Sequence, residues 1–181
     1  MKKKITLAVI CAVLSCVCLI GTTFAWLTDK TDTVTNTFTV GDINIDLKET
    51  TGNEYKLIPG VEYAKDPEVI VEANSETCWL FVKVVKTNNP DDYLDYSLNL
   101  TGWTELTVGS GIYYREVTTS GTDQTFELIT DNKVTVKTSV TKDDIKDIGV
   151  NYPTISFTAY AIQRSGFDTA GAAWTEVSTL G

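Results

Sequence analysis

Val34-Thr35-Asn36-Thr37-Phe38-Thr39-Val40 and, after Gly41-Asp42, Ile43-Asn44-Ile45-Asp46-Leu47-Lys48 carry their hydrophobic signal with a period of two. Val34, Asn36, Phe38 and Val40 share one face, opposite Thr33, Thr35, Thr37 and Thr39. In the second run Ile43, Ile45 and Leu47 lie in, while Asn44, Asp46 and Lys48 lie out. A helix would repeat its apolar residues every three or four positions, so this is strand alternation.

The rhythm continues outward from there. Thr51-Gly52-Asn53 and Pro59-Gly60 punctuate the chain as turns. Val69 and Val71 lead through Asn74-Ser75 into residues 78–86, apolar on both faces at the start, as in a central strand covered on both sides. Residues 93–100, 112–118 and 133–140 are further strands, the last two rich in β-branched and aromatic types. Residues 152–163 form the last long strand, with Ile155, Phe157, Ala159 and Ala161 facing one way. Only two stretches read as helical. Residues 141–149 have a capping box in Thr141 and Asp144 and a terminating Gly149, and residues 168–174 suit a short turn of helix. Neither is long enough to form a layer. Short strands joined by Gly, Asn and Asp turns, with no βαβ rhythm, predict an all-β fold, an antiparallel two-sheet sandwich of jelly-roll type with one or two short helices.

The start of the chain reads as an export signal. Lys2, Lys3 and Lys4 form a basic head, residues 5–20 are apolar and uncharged, and Thr23-Phe24-Ala25 gives a small-x-small exit. The expected scissile bond is Ala25–Trp26, with residues 1–25 a signal peptide and 26–181 a single secreted β-sandwich domain. A retained anchor needs about 20 apolar residues, and the polar segment 26–39 argues for cleavage instead. The membrane then matters only through the signal peptide, before it is cut. Val13-Leu14-Ser15-Cys16 loosely resembles a lipidation site, but the apolar run continues past Cys16 through Ile20.

Cleavage removes Cys11, Cys16 and Cys18 and leaves Cys78 alone, so no internal disulfide forms. Cys78 sits in an apolar strand and reads as a small buried hydrophobe. Cleavage also leaves twelve basic residues against twenty-four acidic ones, a net charge of −12. That balance repels phosphate backbones, so no nucleic-acid partner is expected.

The junction also carries a family likeness. Thr22-Thr23-Phe24-Ala25-Trp26-Leu27-Thr28-Asp29, followed by Asn36-Thr37-Phe38-Thr39-Val40-Gly41-Asp42-Ile43, resembles the start of the TasA/camelysin family of secreted Gram-positive proteins. Leu57-Ile58-Pro59-Gly60 and the strand around Phe157 to Gln163 are compatible with it. The resemblance implies a sandwich fold, a SipW-type signal peptidase as processing partner, and an extracellular, cell-surface biofilm-matrix role. It also implies copies of the chain itself or TasA-like paralogues as assembly partners.

Catalytic constellations are few. The chain contains no histidine, which removes Ser-His-Asp and Cys-His catalysis and the His-Glu-x-x-His zinc site. The camelysin branch is associated with metalloprotease activity, yet this chain carries none of those ligands. No catalytic residue, metal ligand or cofactor is therefore assigned. Asp42-x-Asn44-x-Asp46 imitates the opening of a calcium loop, but Leu47 stands where its Gly belongs and Asn53 where its Glu belongs. Asp91-Asp92-x-x-Asp95 reads as a solvated turn. A carboxylate pair for glycoside hydrolysis is defined by separation in space, and the sequence nominates none. Trp103, Tyr113 and Tyr114 form either a carbohydrate platform or core and cross-strand pairs, and aromatics in strands are more often the latter.

Residues 26–40 become a free chain end once the leader is cut, with strong β propensity and few charges. They form either the first strand of their own sandwich or a donor strand for a neighbour, anchored by Val34, Phe38 and Val40. The expected function is a fibre subunit assembling by strand addition. The alternatives are an exported hydrolase, protease or glycosidase, and a monomeric surface adhesin.

Overall fold

A computed structural model describes residues 41–52 and 54–180. The cleavage residues Ala25 and Trp26, and the anchors Val34, Phe38 and Val40, lie outside the described residues. Ten strands carry the fold: β1 (Ile45–Lys48), β2 (Glu62–Ala64), β3 (Glu68–Val71), β4 (Cys78–Thr87), β5 (Leu94–Asp95), β6 (Thr104–Glu105), β7 (Ile112–Val117), β8 (Gln124–Glu127), β9 (Lys133–Val136) and β10 (Thr154–Gln163). Three short helices join them: α1 (Pro90–Tyr93), α2 (Lys142–Ile148) and α3 (Ala170–Val177). The class is all-β.

Every pairing is antiparallel. One sheet has the order β10-β4-β7-β6 and another β1-β3-β8. A third, β2-β9-β5, continues the second past a bend, because Lys65 N–H donates to the Asn132 carbonyl and Leu128 N–H to that of Pro67. The bend has a cause in the chain. Asp131 and Asn132 take left-handed backbone conformations (φ 58° and 52°) between β8 and β9, and Pro67 brings no N–H to the ladder before β3. The two layers form a sandwich around Val69, Val71, Cys78, Leu80, Val82, Val117 and Leu128, all buried.

β4 explains much of the stability. Its first five residues are buried, Cys78, Leu80 and Val82 into the sandwich and Trp79 and Phe81 through the opposite face. Each large apolar side chain so buried contributes roughly 1.5–3 kcal/mol. β4 is thus the doubly covered central strand that its sequence indicates. Gly111 lets β7 lie beside it: Val84 N–H donates to the Gly111 carbonyl at 2.8 Å. A Cβ there would stand 2.7 Å from the Val84 oxygen, and φ is +67°.

The cover over Trp79 and Phe81 corrects one expectation. The C-terminal helix does form a layer. α3 buries Ala170, Ala173 and Val177 against the sheet, and the small alanines allow close approach. Trp174 packs on Phe81 and Tyr160, with ring centroids 5.2 and 5.3 Å apart. Trp79 Nε1–H donates to the Phe167 carbonyl at 3.2 Å, fixing the chain that enters the helix, and the Thr169 hydroxyl accepts from Ala172 N–H as the cap.

Other expectations hold or shift locally. The capping box of Thr141 and Asp144 is formed at the start of α2, with Gly149 at its end. Ile43 and Ile45 pack on the core, but Leu47 stays exposed at the rim. Residues 93–100 supply only β5 and an isolated bridge between Leu98 and Ile129. β8 is a strand that alternation alone did not reveal.

Candidate functional site

A sandwich of open sheets has edges, and each edge offers unpaired N–H and C=O groups to any passing strand. Most edges here are blunted. β1 carries Asp46 and Lys48 in four residues, β2 is three residues long, and β5 and β6 are two each. β10 is different. Its ten residues, Thr-Ile-Ser-Phe-Thr-Ala-Tyr-Ala-Ile-Gln, include no charge, no proline and no glycine. It pairs with β4 from Thr154↔Thr87 to Gln163↔Cys78, and no described strand lies on its other side.

The phase of the ladder shows which groups are free. Arg164 N–H donates to the Thr77 carbonyl just beyond β10. In an antiparallel pair the bonded residues alternate, so even-numbered residues of β10 exchange bonds with β4. On the other flank of β4, Val84 N–H points to β7, as the same alternation requires. The N–H and C=O of Ile155, Phe157, Ala159, Ala161 and Gln163 therefore point away from the sheet. Three of these residues, Phe157, Ala159 and Ala161, also turn half-buried side chains toward the core. Ala159 and Ala161 are the smallest of them.

The opposite rim of the sandwich is closed by a charge. β6 pairs only with Tyr113 and Tyr114, leaving Arg115 onward on β7 without that neighbour. Arg115 shares the inward face with buried Val117, so its guanidinium enters the rim between the sheets. It lies 4.0 Å from the Phe126 ring centroid and 5.3 Å from that of Trp103. Burial lowers its pKa from the ordinary arginine value, and an arginine so placed remains charged at any physiological pH. Inward-pointing charge is one of the ways proteins protect a sheet edge.

The residues singled out from sequence separate accordingly. Trp103 stacks edge-on with Phe126, at 6.1 Å, on the rim. Tyr113 lines an apolar opening beside it, whereas Tyr114 lies on the far face with Trp79 and Phe81. The three do not make one platform. Asn44 donates its side-chain amide to Asp42 at 3.1 Å, and Asp46 sits within β1, opposite Ile70. Asp91 accepts from Lys86 and from the Tyr96 hydroxyl, at 2.9 and 2.6 Å. Those bonds hold its carboxyl below the ordinary range. Cys78 is buried and unpaired, and desolvation pushes its thiol up to about 11.

These donors do not fit a metalloprotease centre. Among the described residues no three His, Cys, Asp or Glu side chains are grouped to hold a metal. The full chain has no histidine, and the Cys78 thiol stays protonated at neutral pH. Also among the described residues, no helix is long and apolar enough to cross a membrane.

Residues 1–74 match the camelysin metallo-endopeptidase family. The chain thus resembles the TasA/camelysin group over a stretch that ends just past β3. No curated protein and no solved structure matches it.

Proposed function

We propose that the protein is a secreted, non-enzymatic subunit of an extracellular biofilm matrix, assembled by strand addition. A SipW-type signal peptidase cuts between Ala25 and Trp26, and residues 26–40 of one copy, or of a TasA-like paralogue, lie along the free edge of β10 in the next. The observation that carries this reading is the uncharged, ten-residue edge of β10 with its row of outward N–H and C=O groups. Backbone hydrogen bonds supply affinity, and Val34, Phe38 and Val40 at alternate positions supply fit over Ala159 and Ala161. Repeated from copy to copy without closure, the contact builds a filament.

Phe38→Asp tests it. The variant loses the burial of a large apolar side chain, about 1.5–3 kcal/mol, and adds the cost of burying a charge. A folded monomer that makes no fibres by electron microscopy is the expected result. A variant that stays folded and polymerises normally rules the strand out as donor. An unfolded monomer would mean that the segment completes its own sandwich. The family description favours a second reading, a metallo-endopeptidase. Chelator-sensitive cleavage of casein by the purified protein would establish it in place of the first.

A further inference from the structure

The rim beside Arg115 offers a chemistry that the strand edge does not use. Arg115 Nε is sealed from solvent with no hydrogen-bond partner. Among the described residues the guanidinium joins none of the ion pairs. Its other N–H groups lie near Gly102, where a Cβ would meet Nη2 at 3.2 Å. They border a cleft of about 290 Å³ lined by Asn99, Thr101, Trp103, Thr125 and Glu127. That volume is at the small end for ligand sites, the scale of one sugar ring rather than an extended peptide.

We propose that this cleft binds a single uronic acid residue of an otherwise neutral polysaccharide. The guanidinium presents a planar fork that matches a carboxylate through two parallel hydrogen bonds. Stacking on Phe126 holds the fork in place, so little freedom is lost on binding. Glu127 selects against bare anions such as sulfate or phosphate, because its carboxylate accepts only from a ligand that also carries hydroxyl donors. Asn99, Thr101 and Thr125 add neutral donors and acceptors, and Trp103 gives the ring an apolar wall. The net charge of −9, or −12 without residues 1–25, limits the ligand further. A polyanion is repelled by the rest of the surface, whereas one carboxylate meeting one guanidinium is not. The proposal stands whether or not the protein forms fibres.

Nuclear magnetic resonance titration of the purified protein with methyl glucuronide and, separately, methyl glucoside tests it. Saturable shifts of the Trp103 indole N–H are expected with glucuronide, and at least tenfold weaker binding with glucoside. Arg115→Gln should reduce glucuronide to the level of glucoside while circular dichroism stays unchanged. Arg115→Lys keeps the charge without the fork and should lose most of the preference; it serves as the reading if the glutamine variant fails to fold. Equal binding of the two sugars, or an undiminished preference in both variants, overturns the proposal. Tighter binding of a short peptide with a free C-terminal carboxylate than of glucuronide overturns it too, and assigns the cleft to chain ends.

Discussion

The two rims of this sandwich solve the same problem in opposite ways. At the β7–β8 rim a charged side chain is drawn inward and stacked between Trp103 and Phe126. At the β10 rim ten consecutive residues carry no charge, proline or glycine, and among the described residues no strand lies on the outer side. An unguarded edge of that length invites pairing with another chain, and natural sheets ordinarily avoid it. The guarded rim shows that this chain can protect an edge, and the strand addition proposed above would give the uncharged one a use.

Proline substitution gives the largest expected contrast, because neighbouring residues of β10 point their N–H groups in opposite directions. Ala159→Pro removes an outward donor and leaves the β4 ladder intact, the position where an edge strand tolerates proline. It should abolish fibre formation in electron micrographs while the melting temperature changes little. Thr158→Pro removes the bond to Lys83, its partner in β4. It should cost about 1–3 kcal/mol by leaving that carbonyl unsatisfied, measured by urea unfolding. If the two variants behave alike, the assigned phase of the edge is wrong.

Arg115→Met attacks the other rim. It replaces a partly desolvated charge with a long, unbranched apolar side chain, so stability should hold or rise slightly. Freed of its guard, the β7–β8 rim should self-associate, seen as concentration-dependent sedimentation. A variant that remains strictly monomeric when residues 26–40 are absent would show that Arg115 does not guard the edge.

Acid should produce the smallest effect, and away from both rims. Asp66 accepts from the Thr50 and Thr51 hydroxyls and from both of their backbone N–H groups, tying the loop after β1 to the one before β3. Those bonds hold its carboxyl well below the usual range. The stabilisation is present above the unfolded carboxylate pKa of about 3.9 and fades as pH falls further through the folded value. The protection of the Thr50 and Thr51 amides against hydrogen exchange, relative to the unfolded chain at the same pH, should therefore fall below about pH 4. Assembly along β10, which has no carboxylate of its own, should be unchanged from pH 8 down to that point.

The strands that matter for this contrast were unevenly visible in the sequence. β4, β7 and β10 announce themselves by alternation and β-branched content, and α2 by its capping box, because those signals are local. β8 contributes only Gln-Thr-Phe-Glu, too short a run to register. α3 runs past the expected end at residue 174, because Ala170, Gly171, Ala172 and Ala173 carry little amphipathic contrast, and its importance comes from fitting closely over Phe81. Which strand is an edge is decided by pairing across eighty residues, so the open side of β10 could not be read locally, although its lack of charge was in plain view. Arg115 did leave a trace. It is a lone charge at an inward position between Tyr113 and Val117.

The order of the chain gives the β10 edge a timing. Gln163 pairs with Cys78, and α3 follows still later to cover Trp79 and Phe81. A polypeptide threaded outward from its N-terminus exposes residues 26–40 first and completes β10 almost last. In the proposed assembly the donor segment is thus made before the edge that receives it, and a chain gains its own acceptor only once β10 has paired with β4.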